Sequence, residues 1–287
     1  MFAAIGLIVL FAMVFGGFAI TGGNLEPVMH AIPHEMLIIG GAAAGSLLLG
    51  NSFGILKQVG GGIGKIFKGT TYNRKDYLDT IFLASKLMKT MKTDGPVAME
   101  AHIEDPKSSS IFADYPKLLK DHFLIDFMAD AIRLVVVSSG TLNVHAVEEI
   151  MDNALKTHHH TAMKPVKVLQ STGDALPALG IVAAVLGVVK TMGSIDQPPA
   201  VLGGMIGSAL VGTFLGVLLA YGIVSPMANR LEQILEEDGE IYHVAKAIII
   251  SSLHGNAPAM VIEAARTSIS SKNQPGFAEV FDGLRGR

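Results

Sequence analysis

The sequence predicts an all-α polytopic membrane protein, with four transmembrane helices and a helical cytoplasmic domain. Three observations carry this. Met1–Leu25, Met36–Leu56, Ala175–Val189 and Gln197–Asn229 contain no Asp, Glu, Lys or Arg, and each is long enough, at about 1.5 Å per residue, to cross most or all of a ~30 Å hydrocarbon core. The 22 basic and 25 acidic side chains are concentrated between and after these stretches. The last two stretches are crowded with Gly and Ala, the composition that lets membrane helices approach closely.

The first stretch has no positively charged lead and no small-residue cleavage pattern, so it reads as the first half of a hairpin and not as a removed leader. The second is bounded by Glu35 and Lys57, and the connector before it, Thr21 to Glu35, has two carboxylates and no Lys or Arg. Lys57, Lys65, Lys68, Arg74 and Lys75 follow the second stretch. Lys164 and Lys167 precede the third, and Arg230 follows the fourth. Positive flanks stay in the cytoplasm, which places both termini and the middle segment there. The expected divisions are a first hairpin at 1–56, a cytoplasmic helical domain at 57–170, a second hairpin at 171–229 and a cytoplasmic helical segment at 230–287.

From Tyr72 the periodicity becomes that of amphipathic helices. Leu78, Ile81, Phe82, Leu87, Met88 and Met91 form one face of a helix ending at Asp94-Gly95-Pro96, and a short helix from Val97 to Ile103 stops at Asp105-Pro106. Leu118–Ser139 predicts the next helix, closed by Gly140. Thr141 and Asn143 are candidate caps for another that runs through Leu155. Beyond Arg230, Leu231, Ile234 and Leu235 carry the fourth span outwards. His158-His159-His160 points in three directions around a helix and reads as a solvated helix end, with no metal expected.

In the late hairpin, Gly180, Ala184 and Gly187 lie along nearly one side of the third span, with Ala183 beside them. The fourth carries Gly203, Gly207, Gly212 and Gly216, candidate helix-packing positions. Ser208, Thr213 and Tyr221, with Thr172 and Asp174 at the start of the third span, could rim a narrow wet passage suited to a small cation. No span is expected to hold an ionisable residue near its centre, so a conducting role requires a carboxylate from a partner. Pro177 reads as an initiator and Pro226 as a terminator, or else as joints between membrane and cytoplasm.

Gly60-Gly61-Gly62-Ile63-Gly64-Lys65 lacks the spacing and the following hydroxyl of a phosphate loop. No nucleophile–base arrangement or metal quartet stands out. The chain has no cysteine, which excludes disulfides and thiolate metal sites. No enzyme activity, cofactor or nucleic-acid partner is expected.

The strings from Gly173 to Gly187 and from Val211 to Gly222, followed by Ser225-Pro226, resemble the signatures of the MotA/TolQ/ExbB proton channel family, and within it the flagellar-motor stator branch. Ile103-Glu104-Asp105-Pro106 and Phe112-Ala113-Asp114-Tyr115-Pro116 fit the same pattern. The resemblance implies a homo-pentamer around a MotB dimer, a 5:2 complex in the inner membrane in contact with lipid, with the ion-carrying aspartate on MotB. It implies further that Ala184 and Thr213 face the partner helix and the ion path, that Pro177 and Pro226 couple conduction to movement, and that Lys92 and Glu100 contact the rotor protein FliG. The connector containing His30, Pro33, His34 and Glu35 favours H+ over Na+. The alternatives are an ExbB- or TolQ-like energiser of outer-membrane processes, or a non-conducting scaffold.

Overall fold

The computed structural model describes residues 2–138 and 142–285, and every regular element among them is helical. The caps expected at Gly140 and Thr141 lie outside the described residues. The chain divides into two compact units, Met1–Gly69 with Ala162–Leu235, and Thr70–Thr161 with Glu236–Arg287.

The first unit holds the apolar helices α1 (Phe2–Ile20) and α2 (Glu26–Gly50). It continues with α3 (Phe53–Lys68), α8 (Lys164–Met192) and α9 (Pro199–Val217), then a π-helical stretch at Leu218–Val224 that leads into α10 (Ser225–Leu253). The unit includes α10 through Leu235. No residue of α1 is buried, and Phe2, Ile8, Met13 and Ile20 are largely exposed. A continuous apolar face of this kind drives association in water and is at ease in hydrocarbon.

The second span starts ten residues earlier than the apolar run suggests. Asn24 Oδ1 accepts from the Glu26 backbone N–H at 2.9 Å, and Pro27 sits in the first turn, where its missing N–H costs nothing. His30, Pro33, His34 and Glu35 are therefore helical, and the connector between α1 and α2 shrinks to residues 21–25. The long connector that favoured H+ does not exist as a loop. The expectation that no span carries an ionisable residue near its centre is likewise overturned, by Glu35.

Helices α8 and α9 touch backbone to backbone. A methyl group placed on Gly180 would lie 2.7 Å from Gly212 O, and one on Gly216 would lie 2.7 Å from Leu176 O and 2.8 Å from Gly180 Cα. One on Gly187 would meet Ala209 Cβ at 2.7 Å. Gly203 and Gly207 have open space around them, so they take no part in packing within the chain. The Gly60–Gly64 run lies inside α3, with Gly62 against Leu231.

The second unit contains α4 (Arg74–Thr93), α5 (Pro96–Glu104), α6 (His122–Val137), α7 (Val144–Ala162), the rest of α10, α11 (Pro258–Thr267) and α12 (Phe277–Arg285). Asn73 and Asp76 cap α4 reciprocally, and Gly95 at φ 85° turns the chain into α5. Tyr77, Ile81, Leu83 and Leu87 of α4 are buried with Met99, Ile103, Phe112, Leu124, Met128, Ile132, Ile241, Val244 and Ile248. The motif residues Ile103, Phe112 and Tyr115 are thus core anchors. Helix α7 continues past Leu155 through the histidine triplet to Ala162.

Replacing Gly216 by Ala puts a methyl group into backbone atoms that cannot swing aside, and is expected to cost about 1–3 kcal/mol. Gly203→Ala meets no atom within 4 Å and is expected to be neutral or to stabilise by up to about 1 kcal/mol. Thermal unfolding of the two variants in detergent, beside the native chain, checks the contrast.

Candidate functional site

The contact between α8 and α9 meets α2 at one level of the first unit. A methyl group on Gly212 would stand 2.5 Å from Glu35 Oε2 and 3.2 Å from the Ala184 backbone nitrogen. Only a residue without a side chain lets the carboxyl group seat there. Glu35 is 5% exposed, and its Oε2 has no hydrogen-bond partner among the described residues. Ala184 and Thr213 are half-buried, and Thr213 follows Gly212 directly, so the two positions assigned to the ion path by resemblance flank the same junction. Thr172 turns its hydroxyl onto Val168 O at 2.7 Å, while Asp174 and Tyr221 are exposed.

Pro177 is not an initiator. It stands inside α8, where Pro165 occupies the first turn, and it cannot donate to the carbonyl of Gly173 four residues back. Gly173 lies against Ser225, since a methyl group there would be 2.7 Å from Ser225 Oγ. Ser225 immediately precedes Pro226, and Pro226 does not terminate the helix, which continues to Leu253. The missing Pro226 N–H falls just after the π-helical stretch Leu218–Val224, the kind of local rewinding that accompanies a broken hydrogen-bond ladder. The two proline joints therefore meet side by side.

Lys92 lies in the last turn of α4 and Glu100 lies in α5, and both are exposed. Nearby charges are internally paired, Lys86 with Asp114 at 2.9 Å and Arg133 with Glu104 at 2.8 Å. Lys92 and Glu100 form no ion pair with the described residues and project into solvent.

Two features of the second unit escaped the sequence. Asp121 caps α6 through the Leu124 N–H at 3.1 Å and accepts from the hydroxyls of Tyr72 and Tyr242. Burial first, then that carboxylate, pushes both phenols up, so they remain donors. His158 stacks on Phe123 with ring centroids 3.7 Å apart and meets Tyr242 edge-on at 5.0 Å, so it is packed and not solvated as expected. These partners are far apart in sequence, and no local pattern announces them. His145, Glu148 and His254 also bring ligand-type atoms within 4.8 Å of one another, but both histidines are exposed and Glu148 already pairs with Lys246 at 3.5 Å.

These features define an integral membrane protein whose apolar helices meet at a glycine-lined junction, joined to a helical unit with its own core. Residues 4–95 match the family described as "Motility protein A N-terminal", and residues 120–243 match the "MotA/TolQ/ExbB proton channel family". The chain is 39% identical to motility protein A of Salmonella typhimurium over 99% of this chain and 95% of that protein. It is 33% identical to the chemotaxis protein LafT of Vibrio parahaemolyticus over 96% and 95% of the two chains. The fold matches the C. jejuni MotAB structure with a TM-score of 0.72 at 18% identity, covering 94% of this chain and 95% of that one. It also matches the flagellar MotAB stator complex of Bacillus subtilis, with a TM-score of 0.68 at 20% identity over 99% and 98%. The chain belongs to the motility protein A family.

Burial, ahead of the opposing Asp121 carboxylate, holds His158 below the ordinary imidazole value, and burial with Lys246 does the same to His243. The unfolded chain then takes up protons first as pH falls, so the stability these neutral rings contribute is complete above about pH 6.5 and is lost below it, towards their lower folded values. His158→Phe, which keeps the stacking on Phe123, is expected to flatten that acid-side loss. Thermal unfolding midpoints of the native chain and the variant, followed from neutral to mildly acidic pH, check it.

Proposed function

We propose that this chain is the ion-conducting stator subunit of a bacterial flagellar motor, lying in the inner membrane with both termini in the cytoplasm. The observation that carries this reading is the junction of Gly180, Gly212 and Gly216 beside Ala184 and Thr213, in a chain related along its whole length to motility protein A. Helices that approach this closely pack backbone to backbone, and the half-buried Ala184 and Thr213 beside that contact are the positions that a partner helix and a small cation would meet. Five copies surround a MotB dimer, whose membrane aspartate carries the ion, and the match to a proton channel family favours H+. The MotAB stator complex that shares this fold supports the partnership.

In this scheme a proton reaching the partner's acid changes how the partner helix fits against Ala184, Thr213 and the neighbouring glycines. The movement passes through the paired joints at Pro177 and Pro226 to the second unit, where Lys92 and Glu100 engage FliG. One elementary charge crossing 100 mV releases about 2.3 kcal/mol. A few such charges suffice to move contacts between exposed ions, each of which contributes about 1 kcal/mol or less.

Conduction and torque are therefore separable by mutation. In cells expressing a MotB-like partner, Thr213→Leu is expected to cut proton uptake and swimming together. Lys92→Glu combined with Glu100→Lys is expected to abolish most swimming while leaving uptake within about twofold of the native chain, because exposed charges steer docking and not conduction. Equal loss of uptake in both variants sinks the division of roles.

A further inference from the structure

Glu35 has no task in the conducting scheme. It lies ten residues into α2, about 14 Å along the axis from its start, 5% exposed and with Oε2 unpartnered. An ionised carboxylate in such a place costs several kcal/mol, whereas the neutral acid costs far less. Acidic groups inside membrane helices are rare for this reason, and they mark sites of ion or proton handling.

Among the described residues no lysine or arginine pairs with Glu35, and the one charge that acts on it is the neighbouring His34. On α2 itself, His34 is exposed and its Nδ1 lies 3.3 Å from His30 O. On α8 the nearest ionisable residues are Asp174 and Lys190, about 15 Å and 9 Å along the axis from Ala184. Helix α9 has none from Pro199 to Val217. Helix α3 starts at Phe53, past the far end of α2, and its Lys57, Lys65 and Lys68 lie further still. The carboxyl group instead faces Gly212 Cα and the Ala184 backbone, in the niche that Gly212 leaves open.

We infer that Glu35 is a proton-binding site of this chain within the membrane, which takes up a proton as the carboxylic acid and releases it to the passage beside Ala184 and Gly212. Uptake forms one O–H bond at Oε2 as an O–H bond of a hydronium ion breaks and leaves water, and release passes the proton back to a water of the passage as hydronium and restores the carboxylate, with no change of oxidation state. The binding step stands by itself, while the hand-over rests on the conducting role proposed above. The chain thus carries a second titrating acid in addition to the one supplied by its partner.

Infrared difference spectra of the native complex with its MotB-like partner and of E35Q, recorded against pH in vesicles, test the binding step. The native sample is expected to show a protonated-carboxyl C=O band that fades as pH rises and is absent from E35Q. Proton uptake by the same vesicles is expected to fall at least tenfold in E35Q, with assembly unchanged on gel filtration. Identical bands in the two samples at every pH overturn the site, as does a band that follows sodium and not pH. A titrating band with unimpaired uptake in E35Q overturns the hand-over. Native vesicles that take up no protons overturn the conducting reading, and the infrared band then decides the site alone. Should E35Q fail to assemble, E35D keeps an acid one methylene shorter, and it must retain a titrating band for the inference to stand.

Discussion

The structure depends on the absence of side chains at three positions. With Gly180, Gly212 and Gly216 bare, α8 and α9 lie so close that added methyl groups would strike backbone atoms at 2.7 Å or Glu35 Oε2 at 2.5 Å. Membrane helices cannot rely on the hydrophobic effect to hold them together, because lipid tails are as apolar as leucine. Dense backbone contact takes its place. The same bare backbone opens the niche in which Glu35 seats, so that packing and chemistry arise from one constraint.

A second consequence concerns movement. Close-packed helices resist gradual deformation and shift between discrete arrangements. Pro177 interrupts the hydrogen-bond ladder of α8, Pro226 interrupts that of α10 just past the end of α9, and Gly173, four residues before Pro177, touches Ser225, next to Pro226. The π-helical stretch at Leu218–Val224 adds a further irregular turn just before Pro226. These irregular turns lie beside one another, apart from the tight Gly180–Gly216 contact.

Much of this was legible in the sequence. Uncharged runs identified the four spans, the three-and-four periodicity of Ile81, Phe82, Leu87 and Met88 identified a buried helical face, and Asp94-Gly95-Pro96 marked its end. The start of α2 is hidden in the sequence, because the uncharged run begins only after Glu35. Asn24 and Pro27 were the signals of an earlier start, and with it Glu35 passes from a boundary marker to a buried acid. Pro177 was read as an initiator for a similar reason, since the helix extends thirteen residues before it through Lys164 and Lys167, outside the apolar run. The Asp121 cluster was beyond reach, because its tyrosines and His158 come from separate helices. Glycine periodicity alone could not tell Gly180 and Gly216, in tight contact, from Gly203 and Gly207, which face open space.

In the proposed scheme the glycine-lined junction conducts protons only when a partner supplies the acid. Proton uptake into vesicles measures this most directly, with three preparations compared: this chain alone, the chain with its MotB-like partner, and the chain with a partner whose membrane aspartate is replaced by alanine. Uptake confined to the intact pair is the predicted result. Equal uptake by the chain alone would contradict it.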